Sequence, residues 1–180
     1  MEKLVLIDGN SLINRAYYAL PNLTSKQGGY CGAIYGFTNI LLKIITTIKP
    51  KYMGICFDAG KKTFRNEIYA EYKGTRKPMP DELREQLPKL KELLKAMNIY
   101  IVEQLGVEAD DLIGSLSKKF NIDTIIVSGD RDLLQLIDDT TEVHLTKKGI
   151  TDTAVMNIQS LKEVMNLEPY QVVELKALMG

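Results

Sequence analysis

Leu4-Val5-Leu6-Ile7-Asp8-Gly9-Asn10 places four consecutive aliphatic residues in front of an acid and a glycine. A strand with one wet face alternates apolar and polar side chains, so an unbroken run of this length fits a strand covered on both faces, as in a parallel sheet. Asp8-Gly9-Asn10 is turn chemistry, and beyond it Leu12, Ile13, Ala16, Tyr17 and Leu20 recur at helical spacing. Strand, sharp turn and amphipathic helix in direct succession are the opening unit of an α/β fold.

The same unit recurs outward from that stretch. Residues 33–48 read as a second helix ending before Pro50, and Tyr52 to Phe57 as an apolar strand that also ends on an aspartate, Asp58. Residues 59–80 are basic, punctuated by Gly and Pro, and have no clean period. From Pro80 to Met97, Leu83, Leu87, Leu90, Leu93 and Leu94 recur every three or four positions, which is helix. Ile99 to Val102 reads as a strand, Ala109 to Phe120 as a helix, and Thr124 to Val127 as a strand closed by Ser128-Gly129-Asp130. Leu133, Leu134 and Ile137 begin a short helix, Val143 to Leu145 is a weak strand, and residues 153–180 look helical in two pieces separated near Pro169. Strands alternating with long crossovers predict an α/β fold with a mostly parallel central sheet and helices on both faces. With no internal repeat and no linker, the 180 residues read as one domain with a real core.

A composition of 45% apolar and 26% charged residues excludes a disordered or fibrous chain. Two cysteines, Cys31 and Cys56, suggest no disulfide framework. The acidic start Met1-Glu2-Lys3, and an apolar run that meets Asp8 after four residues, argue against a signal peptide and a membrane span, so a cytoplasmic protein with no membrane partner is expected. Lys and Arg total 23, as do Asp and Glu, and a net charge of zero argues at first sight against a polyanionic partner. The distribution overturns that argument. Residues 1–42 carry +1, residues 43–95 carry +6, residues 96–145 carry −7, and residues 146–180 carry 0. An acidic block beside a basic block matches a metal-carboxylate site next to a phosphate-binding surface, although two solvated helix faces would give the same sums.

The positions of the acids separate these readings. Asp8, Asp58 and Asp130 each follow the end of a strand, and ligands of an open parallel sheet bind in the crevice outside the carboxyl ends of its strands. Glu108, Asp110 and Asp111 stand at the start of a helix, and Asp132 follows Asp130 by two residues, so seven acids could share one end of the sheet. Single acids here can also be helix caps or turn residues. Caps do not explain why every strand end on one edge carries an acid. Clustered carboxylates repel unless neutralised, and an oxygen-only donor set favours Mg²⁺ or Mn²⁺ over zinc or copper. Seven acids suggest two such ions, acting on the attacking and leaving oxygens of a phosphoryl transfer. There is no Gly-x-x-x-x-Gly-Lys-Ser/Thr loop and no Gly-x-Ser-x-Gly elbow, and the lone His144 has no partners for a triad, which leaves water activated by a metal ion as the nucleophile.

Between Asp58 and Pro80 lie Lys61, Lys62, Arg65, Lys73, Arg76 and Lys77, interleaved with Phe64, Tyr69 and Tyr72. Cations contact phosphates and rings stack on unpaired bases, while Lys73 and Arg76 could stabilise charge building on a scissile phosphate. Beside an acidic crevice this combination reads as nucleic-acid cleavage.

Leu4-Val5-Leu6-Ile7-Asp8-Gly9-Asn10, Gly32-Ala33-Ile34-Tyr35-Gly36-Phe37, Phe57-Asp58-Ala59, Phe64-Arg65, Tyr72-Lys73-x-x-Arg76, Glu108-Ala109-Asp110-Asp111 and Gly129-Asp130-Arg131-Asp132-Leu133 together resemble, in order, the amino-terminal 5′→3′ nuclease domains of bacterial DNA polymerases I. Those domains belong to the flap endonuclease family and have a PIN-like core. The resemblance implies a structure-selective, two-metal phosphodiesterase acting on DNA 5′ ends and 5′ flaps in replication and repair. It implies that Asp8, Asp58, Glu108, Asp110, Asp111, Asp130 and Asp132 ligate metal, directly or through water. Lys73 and Arg76 would be catalytic at the base of a helical arch of roughly residues 72–97, with Arg65, Tyr72, Lys73, Arg76 and Lys77 contacting DNA. A monomer is expected, with a polymerase domain possible in a longer product.

Family members continue beyond the position of Gly180 into an aspartate pair and a Gly-rich helix-turn-helix variant, so the resemblance implies a truncated, weakly active piece. Two other readings compete. A PIN-type ribonuclease shares the acidic crevice but is generally shorter and lacks the basic insertion at residues 59–97. A metal-dependent adhesion module would want Asp-x-Ser-x-Ser after the first strand, where Asn10 and Leu12 stand.

Overall fold

A computed structural model of the chain describes residues 2–21, 23–60, 63–74, 77–147 and 152–179. The elements in order are β1 (Lys3–Asp8), α1 (Gly9–Ala19), α2 (Gly32–Ile48), β2 (Tyr52–Cys56), α3 (Phe64–Ile68), α4 (Asp81–Ala96), β3 (Tyr100–Val102), α5 (Ala109–Lys119), β4 (Asp123–Ser128), a 3₁₀ turn (Arg131–Leu136), β5 (Thr141–Thr146), β6 (Thr153–Met156), α6 (Ile158–Met165) and α7 (Gln171–Met179). The sheet order is β3-β2-β1-β4-β5-β6, with all pairings parallel except the antiparallel β5–β6.

Because side chains alternate along a strand, the aliphatic run of β1 splits between two cores. Val5 and Ile7 face Leu12, Ile13 and Ala16 of α1, Phe37, Ile40 and Leu41 of α2, and Leu83, Leu90 and Leu94 of α4. Leu4 and Leu6 face Leu112 and Ile113 of α5, Leu133 and Leu134 of the 3₁₀ turn, and Leu161 and Val172 of α6 and α7. α1, α2 and α4 thus cover one face, and α5, the 3₁₀ turn, α6 and α7 the other. The chain changes face between the neighbours β1 and β4, which makes their carboxyl ends the topological switch point where ligands of such sheets bind.

Two features differ from the sequence-based expectation. Residues 153–156, expected to be helical, form β6, the antiparallel edge strand on β5. The basic stretch 59–80, which has no readable period, contains the one-turn helix α3, and Thr63 beside it bridges to Gly106. The helix expected from the recurring leucines is α4, which takes up most of the segment 72–97 and has Leu83, Leu90 and Leu94 fully buried. Among the described residues no helix is long and apolar enough to cross a membrane. Both cysteines are free.

Candidate active site

β1 ends at the switch point with Asp8, which is 4% exposed and caps α1 by accepting from the Ser11 amide at 2.9 Å. The Ser128 hydroxyl donates to the other Asp8 oxygen at 2.7 Å, tying the ends of β1 and β4 together. Gly9 follows because nothing larger fits there: a Cβ at that position would stand 2.4 Å from the Phe57 ring. Asp58 lies just beyond β2 and takes two donors from different elements, the Ala109 amide of α5 at 2.8 Å and the side-chain amide of Asn10 from α1. Asp130 caps the 3₁₀ turn through the Asp132 amide at 2.9 Å, and its own amide donates to Ser128 Oγ.

These groups surround an open cavity of about 340 Å³, lined by Asp8, Asn10, Ser11, Asn14, Asp58, Lys73, Ala109, Asp110, Gly129 and Asp130. Four of the seven acids anticipated from the sequence therefore share the crevice. The other three are turned to cations. Glu108, 5% exposed at the cap of α5, receives Lys73 Nζ at 2.8 Å, the Tyr72 hydroxyl at 3.3 Å and the Thr63 hydroxyl at 3.3 Å. Asp111 is gripped by both terminal nitrogens of Arg65, at 2.7 and 2.8 Å. Asp132 pairs with Lys176 of α7 at 2.8 Å.

The DNA-contact candidates divide in the same way. Arg65 and Tyr72 point inward onto acids of α5, Lys73 lines the cavity, and Lys77 is exposed. Arg76, Lys61 and Lys62 lie outside the described residues. Asn10, Ser11, Asn14 and Ser128 were not anticipated. The only signal for them is position, immediately after β1 and at the end of β4.

The crevice is electrostatically strained. Burial first, then the facing Asp8 and Asp130, push the Asp110 carboxyl up to about 6, with Lys73 opposing. Burial also raises Asp8, again with Asp130 and Asp58 adding to the effect. Asp111, by contrast, is held below the ordinary carboxylate range by Arg65. Carboxylates forced toward their neutral form around a cavity lined by oxygen and amide donors suit a hard divalent cation, which would relieve the repulsion. Among the described residues no three acidic, histidine or cysteine side chains stand close enough to cage an ion alone.

Sheet order, switch point and crevice define a doubly wound α/β domain with an acidic cavity at the carboxyl ends of its central strands. Comparison makes this specific: the chain belongs to the 5′-3′ exonuclease family, its residues 3–166 matching that family's N-terminal resolvase-like domain. It is 47% identical over 182 residues to the DNA polymerase I of Bacillus subtilis (strain 168), and equally to that of Bacillus caldotenax. Each alignment takes in 99% of this chain and 21% of the relative, so the chain spans about a fifth of the length of the curated relatives it matches. Among solved structures it is similar to the bacteriophage T5 D15 flap endonuclease in a complex with DNA and metal ions, at a TM-score of 0.79 and 21% identity over 99% of this chain and 66% of that one. The catalytic core of Rad2 with DNA substrate matches at 0.59 and 17%, over 99% and 54%. At such identities these two likenesses establish the fold.

Proposed function

We propose that this domain hydrolyses phosphodiesters at DNA 5′ ends and 5′ flaps, as a structure-selective 5′-3′ exonuclease and flap endonuclease using Mg²⁺ or Mn²⁺. The carrying observation is the meeting of Asp8, Asp58, Asp110 and Asp130 with Lys73 in one crevice at the switch point. Family membership supports it, as do relatives named DNA polymerase I, which also suggest that a polymerase domain accompanies this one. The T5 flap endonuclease complex holds both DNA and metal ions.

The four crevice carboxylates would hold the ions, with Asp58 and Asp8 already fixed by their own hydrogen bonds. Bound divalent ions supply neutralisation of the phosphate and a lowered pKa for water. Lys73 sits in the left-handed backbone region, at φ 57°, and its ammonium reaches the cavity while resting on Glu108. It is placed to bond a phosphate oxygen and to offset charge developing there. Asn10, Ser11 and Asn14 also line the cavity, with amide and hydroxyl groups that can orient the same phosphodiester. At about 340 Å³ the crevice is in the small-ligand size range, which suits one phosphodiester together with its ions. Lys77, exposed beyond Lys73, would follow the strand along the expected arch of roughly residues 72–97, as would Arg76 by its place in the sequence.

The test is single-turnover cleavage, with protein in excess, of a labelled 5′-flap duplex and a single-stranded RNA across a Mg²⁺ titration. The flap should be cleaved at least about tenfold faster, and only with the ion. RNA cleaved as fast as or faster than the flap would instead favour the PIN-type ribonuclease reading, and no cleavage of either would contradict both.

A further inference from the structure

Arg65 and Asp111 are each accounted for by the other. The guanidinium makes a bidentate pair with Asp111, the planar arrangement that fixes orientation as well as charge. It also stands 3.6 Å from Glu108 Oε2 and lies over the rings of Phe64 at 4.6 Å and Tyr72 at 5.9 Å. Asp111 in turn accepts the backbone amide of Glu108 within the capping box of α5.

The surrounding bonds make one assembly of two distant stretches. Phe64 donates its amide to the Gly106 carbonyl at 3.2 Å, Thr63 reaches Glu108, and the Asn66 side-chain amide donates to the Tyr72 carbonyl at 3.2 Å. α3 has five residues, too few to hold its own shape in water. Its place is set by these contacts to the start of α5, and the place of Tyr72 and Lys73, which both bond Glu108, depends on it.

We propose that Arg65 is a positioning residue acting through Asp111, the pair forming a strap that holds Tyr72 and Lys73 at the rim of the acidic cavity. This rests on the nuclease reading above, and it takes Asp111 out of the ion-binding set and Arg65 out of the DNA contacts. A side chain serving DNA directly would present its cation outward. Here the fork is spent on a carboxylate, and Lys73 is the cation delivered to the cavity.

Three measurements on this chain test the strap. In single-turnover flap cleavage at saturating Mg²⁺, Arg65→Gln should lower the maximal rate about 10- to 100-fold while the Kd for the flap and the salt slope of binding stay within error. Arg65→Lys, which keeps the charge and loses the fork, should recover less than half of that loss on a logarithmic scale. Asp111→Asn should show the same rate defect, and the double variant no further loss, since both changes cut one strap.

Mn²⁺ titration followed by electron paramagnetic resonance supplies a readout without activity. Asp111→Asn should bind Mn²⁺ within about twofold of the unaltered chain, and Arg65→Gln, which frees Asp111, should bind at least as tightly. A tenfold loss of Mn²⁺ affinity in Asp111→Asn would overturn the proposal by making Asp111 a ligand. So would a weaker Kd and shallower salt slope with an unchanged rate in Arg65→Gln. Absence of flap cleavage by the unaltered chain would count against the nuclease reading, while the Mn²⁺ arm would still decide the role of Asp111.

Discussion

Asp110 shows how the crevice sets the behaviour of a single side chain. Its carboxyl is pushed from the ordinary value of 3.8 to about 6 by burial and by Asp8 and Asp130. A folded-state pKa raised above the unfolded one means that the folded protein holds the proton more tightly. Folding stability without divalent ions therefore falls as pH rises from about 4 through about 6. Replacing Asp110 by Asn removes that penalty. The variant should be about 1 kcal/mol more stable than the unaltered chain at pH 7.5 in chelator, after allowing for partial solvent screening, and indistinguishable from it at pH 4. Urea unfolding at the two pH values checks this. If Asp110→Asn proved less stable than the unaltered chain at pH 7.5, the acids would not be in conflict.

At this scale Asp8, Asp58 and Asp130 were legible because each follows the last apolar residue of a strand, so the topology carries them to one edge. The partnership of Arg65 with Asp111 was not legible, since 46 residues separate the two. A cation among cations and an acid among acids gave no hint that each would neutralise the other. Capping, weighed as the alternative for Asp130, coexists with the crevice: Asp130 and also Asp8, read from the sequence as a turn residue, each accept a helix amide on one oxygen while still lining the cavity.

Among elements, α2 and α4 illustrate a non-local cap. Cys31, at the N-cap of α2, makes no side-chain bond to the helix. Gln86, reaching across from α4 and 2% exposed, accepts from the Ala33 and Ile34 amides at 2.9 and 3.3 Å and donates to the Glu82 carbonyl. One buried side chain thus closes the start of α2 and fastens α4, the helix next to the basic segment. Gln86→Ala would strand those amides and should cost about 1–3 kcal/mol in urea unfolding, leaving Mn²⁺ affinity unchanged. A loss below about 0.3 kcal/mol would show that the cap contributes nothing.

The elements that could be read ahead were those whose pattern is local and long: the apolar strands β1, β2 and β4, and α4 with its recurring leucines. β6 reads as helix in the sequence because its four residues, Thr153–Met156, carry no alternation, and their identity as a strand comes from pairing with β5. α3 is a single turn, shorter than any helical period that could reveal it.

For the whole molecule, the balanced charge is neutralisation in space as well as in sum. Cations of the basic segment meet acids of the acidic block at Arg65–Asp111, Lys73–Glu108 and Lys91–Glu103. What remains concentrated at the switch point is the negative charge of Asp8, Asp58, Asp110 and Asp130, on the sheet edge where the chain changes face. The fold could be anticipated as a class from the alternation of strands and helices, and the crevice from the acids at strand ends. Which acids stay in the crevice is decided by the cations paired with the others: Arg65 with Asp111, Lys73 with Glu108 and Lys176 with Asp132.

The central claim is that this crevice is a divalent-ion site for phosphodiester hydrolysis. Its most direct measurement is the single-turnover rate of 5′-flap cleavage at saturating Mg²⁺ for the unaltered chain and for Asp58→Ala, with circular dichroism showing both folded. The account predicts a loss of at least about 100-fold in the variant. Equal rates in the two folded proteins would contradict it.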